Sequence, residues 1–179
     1  MPFSADIELL TGLQLHRNVI QDAVLSAEQY VWIATANLKD MHIPSSHSYR
    51  PLLETFDHMA GRGVSFRIIH SALPSKPFRA TLERFSRLTS GALELQICPR
   101  SHWKMVIVDG RFAYVGSANF TGAGLGAKSE KSRNHEVGIT SNDSELVRKL
   151  IDLFDTFWIG SYCHDCALRM DCPDPIGED

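Results

Sequence analysis

The residues of this chain predict an α/β fold, an αβα sandwich built on a mixed central β-sheet. Short apolar runs rich in β-branched and aromatic residues alternate with stretches of helical periodicity. Two further apolar runs are joined by Asp109-Gly110, a tight-hairpin signal that adds antiparallel pairing to strands otherwise connected through helices. A length of 179 residues suits one domain with a sizeable core. The expected division is a catalytic-type domain over 1–160 and a C-terminal tail over 161–179 that holds three of the four cysteines.

The first element expected is an amphipathic helix from Ile7 to Ala27, because Leu10, Leu13, Val19, Ile20, Ala23 and Val24 recur at helical steps, with Gly12 weakening its start. Tyr30 to Ala36 reads as a buried strand, and the polar stretch after it, with Pro44 and three serines, as a loop. Arg50 to Ala60 suggests a helix, Gly61-Arg62-Gly63 a turn, and Val64 to Ile69 a strand. Phe78 to Leu88 reads as a helix and Leu93 to Ile97 as a strand. Trp103 to Val108 and Phe112 to Val115 form the hairpin, His135 to Thr140 a further strand. Asn142 can cap a last helix, Ser144 to Trp158, whose apolar stripe runs through Leu146, Leu150, Ile151, Phe154, Phe157 and Trp158.

Composition excludes some classes of function. Apolar residues make up 44% and charged residues 22%, the balance of an ordinary globular protein. Net charge is -3, so the chain lacks the global positive field of a dedicated nucleic-acid binder, and any polyanion contact must be local. The N-terminal residues lack a basic start followed by an apolar stretch, which leads us to expect a cytoplasmic protein without stable membrane association.

The chemistry concentrates in residues 102–119. On a strand, residues two apart share a face, so His102 and Lys104 are expected to point together, joined beyond the hairpin by Ser117 and Asn119. The apolar runs between them would hold the polar groups rigidly at strand ends. Such a set suits phosphoryl transfer: Lys104 neutralises a phosphodiester's charge, Ser117 and Asn119 donate hydrogen bonds, and a neutral imidazole attacks phosphorus. No metal is required for that chemistry. Asp109 lies an odd number of residues from His102, at the turn, and is expected to serve structure rather than the reaction.

His102-x-Lys104, then four residues to Asp109, then six to Gly116-Ser117, with Asn119 beyond, resembles the HKD signature of the phospholipase D superfamily. Asn119-Phe120-Thr121 and Asn134-His135-Glu136 are similar to it too. The resemblance covers about residues 7–158 and implies a phospholipase D-like sandwich, a covalent phosphohistidine, and an acidic residue orienting the histidine, for which Glu136 is the candidate. It points to the compact single-motif bacterial endonuclease-like branch.

Displacement at phosphorus needs a proton donor opposite the nucleophile. The other histidines, His16, His42, His47, His58, His70, His135 and His164, are followed two residues later by Asn18, Pro44, Tyr49, Ala60, Ala72, Val137 and Cys166, never by lysine. One motif gives half a site, so a homodimer is expected to complete it.

The tail carries Cys163-x-x-Cys166 and Cys172, three soft ligands at a spacing that suits structural zinc, with Cys98 or alternatively His164 as the fourth. An iron–sulfur cluster on all four cysteines, or a Cys163–Cys166 disulfide, fits the same residues.

Among functions, a metal-independent nuclease leads, with Lys128, Lys131 and Arg133, and also Arg100 and Arg111, as candidate phosphate contacts along the cleft. The alternatives are a phospholipase or phosphatidyl transferase acting on lipid phosphodiesters, and a catalytically silent phosphate-binding subunit.

Overall fold

A computed structural model of the chain describes residues 6–45 and 48–177. Seven strands form one mixed sheet in the order β1-β9-β8-β7-β2-β5-β6. The parallel part is β2 (Tyr30–Thr35), β5 (Ser65–His70) and β6 (Leu93–Ile97), and the helices α1 (Leu52–Ala60) and α2 (Lys76–Leu82) lie between its strands in sequence. The antiparallel part is β7 (Met105–Val108), β8 (Phe112–Gly116), β9 (Val137–Ser141) and β1 (Ile7–Thr11). Helix α3 (Ser144–Trp158) covers the opposite face.

Two cores follow from this layering. Leu15, Val19 and Ile20 of a π-helix (Leu15–Ala23) join Phe56, Phe66 and Tyr114 on one side of the sheet. Val147 and Phe154 of α3 meet Ile69, Met105, Ile107 and Ala113 on the other. The four residues of β7 are all buried, as expected of a strand covered on both faces.

The expected sandwich is present, and several local readings change. Ile7–Thr11 is an edge strand paired with Val137–Ser141, and helix begins after Gly12, whose φ of 54° breaks the chain direction. The polar stretch after β2 contains a small hairpin, β3 (His42–Ser45) with β4 (Ser48–Pro51), while Ser46 and His47 lie outside the described residues. The helix expected over 78–88 ends at Leu82 after starting under a Ser75 cap, and a short π-helical turn (Leu88–Ala92) leads into β6. Asp143 rather than Asn142 caps α3, its carboxylate accepting the Leu146 N–H at 2.8 Å.

Candidate active site

Strand polarity brings the motif residues together. β7 runs antiparallel to both β2 and β8, and β8 antiparallel to β9. The C-terminal ends of β2 and β8 and the N-terminal ends of β7 and β9 therefore share one edge of the sheet. His102 and Lys104 sit just before β7, Ser117 and Asn119 just after β8, and Glu136 just before β9. His102 and Lys104 thus stand on extended backbone ahead of the strand, which starts at Met105 and not at Trp103 as expected. Their side chains still meet: Lys104 Nζ lies 3.0 Å from His102 Nδ1 and 3.4 Å from Nε2, and donates to the His102 carbonyl at 2.8 Å. His102 is exposed, open to a substrate or a partner. Partial burial lowers the Lys104 pKa, an effect the nearby Glu136 carboxylate opposes.

The serine and the glutamate form a unit. Ser117 Oγ donates to Glu136 Oε2, accepts the Val137 N–H at 3.1 Å, and Asn134 donates to Glu136 Oε1 at 3.0 Å. The Ser117 hydroxyl thus faces two acceptors, Glu136 Oε2 and the Val137 carbonyl at 3.2 Å. Glu136 makes no hydrogen bond to His102 among the described residues; its charge is felt at Lys104 instead.

Asn119 is held from β2. Its Oδ1 accepts the Asn37 N–H at 3.0 Å and lies 3.4 Å from the Thr35 hydroxyl, which itself accepts the Phe120 N–H at 2.9 Å. With Oδ1 so occupied, the Asn119 amide N–H₂ is the group turned to donate. Thr35 and Asn37 are residues that the sequence reading passed over. The rule that open α/β sheets bind ligands beyond the C-terminal ends of parallel strands would have found them.

A second support escaped notice. Gly116 and Gly138 are cross-strand partners, and the Tyr114 ring fills the space their missing side chains leave. The fully buried Tyr114 hydroxyl accepts the Ala118 N–H at 3.3 Å, bracing the turn that carries Ser117 and Asn119. Burial pushes its pKa up to about 12, which keeps the hydroxyl neutral.

Asp109 stands at the far end of β7. Asp109 (φ 52°) and Gly110 (φ 65°) are both left-handed, as a primed hairpin turn requires. The carboxylate accepts the N–H groups of Glu28 at 2.8 Å, Gln29 at 2.9 Å and Tyr30 at 2.8 Å, pinning the start of β2. Arg111, expected along the cleft, instead pairs with Asp109 at 3.2 Å at this distal end.

The basic residues divide. Lys128 lines a groove of about 460 Å³ together with Asn119 and Asn134. Lys131 is exposed outside that lining, and Arg133 packs its guanidinium near Gly12 with Nε buried. Arg100 turns to the tail, its Nη1 3.6 Å from Cys166 Sγ.

Cys98, Cys163, Cys166 and Cys172 all line one cleft of about 430 Å³ between the end of β6 and the tail. They do not converge: among the described residues no three His, Cys, Asp or Glu side chains are grouped to hold a metal ion. His164 lies outside the cleft, exposed and paired with Asp165 at 2.8 Å.

Fold and motif together define the class, a phospholipase D-like domain with a single HKD-type motif, and comparison gives its family. The chain belongs to the PLD-like domain family described under cardiolipin synthase, whose sequence pattern matches residues 20–158. No curated protein sequence matches it. Among solved structures it is similar to NucT from Helicobacter pylori, with a TM-score of 0.62, 17% identity, and coverage of 87% of this chain and 96% of that one. It is also similar to Nuc from Salmonella typhimurium, described as a phospholipase D family member (TM-score 0.58, 15% identity, 97% and 100% covered). TrmBL2, described as an archaeal chromatin protein with a novel mode of DNA binding, matches at a TM-score of 0.58 and 16% identity over 88% of this chain and 53% of that one.

Proposed function

We propose that the chain is a metal-independent nuclease that cleaves phosphodiesters through a covalent phosphohistidine at a site shared by a homodimer. The observation that carries this reading is the convergence of His102, Lys104, Asn119 and the Ser117–Glu136 pair on one sheet edge, with Lys104 Nζ 3.0 Å from the His102 ring. An imidazole nitrogen of His102 attacks phosphorus as the bond to the leaving oxygen breaks, and the protonated His102 of a second copy gives that oxygen its proton. That second histidine, now neutral, takes a proton from water; the water oxygen attacks phosphorus, and the phosphorus–nitrogen bond breaks. Lys104 and the Asn119 amide stabilise the negative charge on the non-bridging oxygens throughout.

An exposed apolar surface beside the site supports the dimer. Val115, Ile139 and Leu9 are aligned across β8, β9 and β1 in register, flanked by Val137 and Ile7, and all five are exposed. Val115 adjoins Gly116-Ser117 and Val137 adjoins Glu136, so a copy seated there lies next to the incomplete site. Apolar patches of this kind mark partner surfaces. Nucleic acid as substrate is supported by the exposed Lys128 beside Asn119 and by the DNA-binding description of TrmBL2. Among the described residues no helix is long and apolar enough to cross a membrane.

The test incubates the protein with DNA, RNA and anionic phospholipid in the presence of a metal chelator, followed by a rapid alkaline quench and mass spectrometry. Nucleic-acid cleavage with a phosphoryl adduct on His102 is the expected result. Cleavage that stops with chelator, or turnover confined to the lipid, contradicts the proposal.

A further inference from the structure

The groove beside Asn119 has a composition of its own. One wall is the segment after β2, with Asn37, Lys39 and His42; the other is the loop carrying Thr121, Gly122 and Lys128. The two are tied together where the Lys39 N–H donates to the Phe120 carbonyl at 3.4 Å. Asp40 is the one acid among its lining residues, and burial disfavours its charged form. Lys39 and Lys128 are exposed, so the groove presents cations in the same lining as Asn119.

The β3–β4 hairpin joins the lining through His42 and Tyr49. Strand alternation decides what this finger shows: Ile43, paired with Arg50, is 5% exposed and anchored in the core, while the next pair, Pro44 and Tyr49, faces the other way. Tyr49 is consequently 70% exposed, and it is among the residues that line the groove. The Leu52 N–H to Met41 carbonyl bond at 2.6 Å fixes the base of the finger. An exposed aromatic face along a groove that carries lysines is the combination that holds unpaired bases, since stacking needs a free base face and the phosphates need neutralising charge.

We propose that this groove binds single-stranded nucleic acid, with a base stacked on Tyr49 and adjacent phosphates held by Lys39 and Lys128, so that the strand leads into the site at Asn119. The proposal deepens the nuclease reading by naming its substrate as unpaired DNA or RNA, and rests on that reading for what happens at His102.

Binding of labelled single-stranded DNA, single-stranded RNA and a duplex to a His102→Ala background, followed by fluorescence anisotropy, tests it. Single strands of at least one kind should bind more tightly than duplex. Tyr49→Ala should weaken that binding about tenfold, and Tyr49→Phe should restore it. Lys39→Ala and Lys128→Ala should each lower the slope of log affinity against log salt by about 0.7. Because Tyr49 is exposed, thermal melts should match across the set. Binding to single strands that is indifferent to Tyr49→Ala, or equal affinity for duplex, overturns the groove proposal. Hydrolysis of bis(4-nitrophenyl) phosphate by the unmodified chain reports separately on the reaction: hydrolysis with Tyr49-independent strand binding sinks the groove alone, whereas Tyr49-dependent binding without hydrolysis sinks the nuclease reading and leaves the groove standing.

Discussion

The motif end of the sheet and the cysteine tail were equally suggestive as spacing, and they behave differently in three dimensions. His102, Lys104, Ser117, Asn119 and Glu136 come from three separate stretches, yet all reach one edge of the sheet. Cys163, Cys166 and Cys172 are close in sequence, share a cleft with Cys98, and do not group as metal ligands. The reason is the backbone beneath them. Strands β7, β8 and β9 are hydrogen-bonded in fixed register, so sequence spacing translates directly into position. The tail is a succession of turns, such as Cys166 N–H to Cys163 O at 3.2 Å, where the same spacing leaves side-chain directions open. The tail's own contribution is packing: Tyr162 meets Phe157, whose ring lies tilted against Trp103 between the two motif residues, and Asp174 accepts the Ile97 N–H at 2.8 Å.

If the motif end is the reactive one, its substitutions should act on rate. His102→Ala should lower turnover roughly 10⁴-fold, the upper end for a group that handles protons as well as attacking, and Lys104→Ala by about 10²–10³-fold, with melting curves unchanged. Steady-state kinetics with a thermal melt checks both, and activity surviving in His102→Ala removes the mechanism.

Asp109 sharpens the comparison from inside the same motif, because its carboxylate is buried and spends its acceptors on backbone. Asp109→Ala should cost roughly 3 kcal/mol of stability by leaving the Glu28, Gln29 and Tyr30 N–H groups without their acceptor. Denaturant unfolding measures it. A catalytic loss at full stability would instead place Asp109 in the chemistry.

The smallest effect belongs to the tail. Hydrogen bonding from Arg100 lowers the Cys166 thiol pKa, so Cys166 should alkylate fastest of the four cysteines at neutral pH, and Arg100→Ala should erase its lead. Mass spectrometry after timed alkylation follows this. Protection of all four cysteines, together with about one zinc per chain by elemental analysis, would show that the tail draws together around a metal after all.

Much of the fold was legible because its elements announce themselves locally. The apolar runs of β2 and β7 and the Asp109-Gly110 turn left little alternative. The strand Ile7–Thr11 was read as helix because its apolar spacing fits both periods, and what decides is pairing with Val137–Ser141, far along the chain. The candidate site residues are legible through their signature, and strand polarity brings them to one sheet edge. Their supports are not legible: Tyr114 reads as an ordinary core aromatic, and Gly138 as a strand glycine, until the ring is seen lying over both glycines. Tyr49 escaped because its hairpin sits in a polar stretch that carries no strand pattern.

The central claim is that two chains share one site, and mixed dimers test it most directly. Chains with His102 intact and chains carrying His102→Ala, co-expressed with two different tags and purified through both, give dimers with a single His102. The shared site predicts that these lose about a hundredfold or more in rate, because each step lacks either its nucleophile or its proton donor. Mixed dimers retaining half the activity of the unmodified dimer, or a fully active monomer by light scattering, would contradict it.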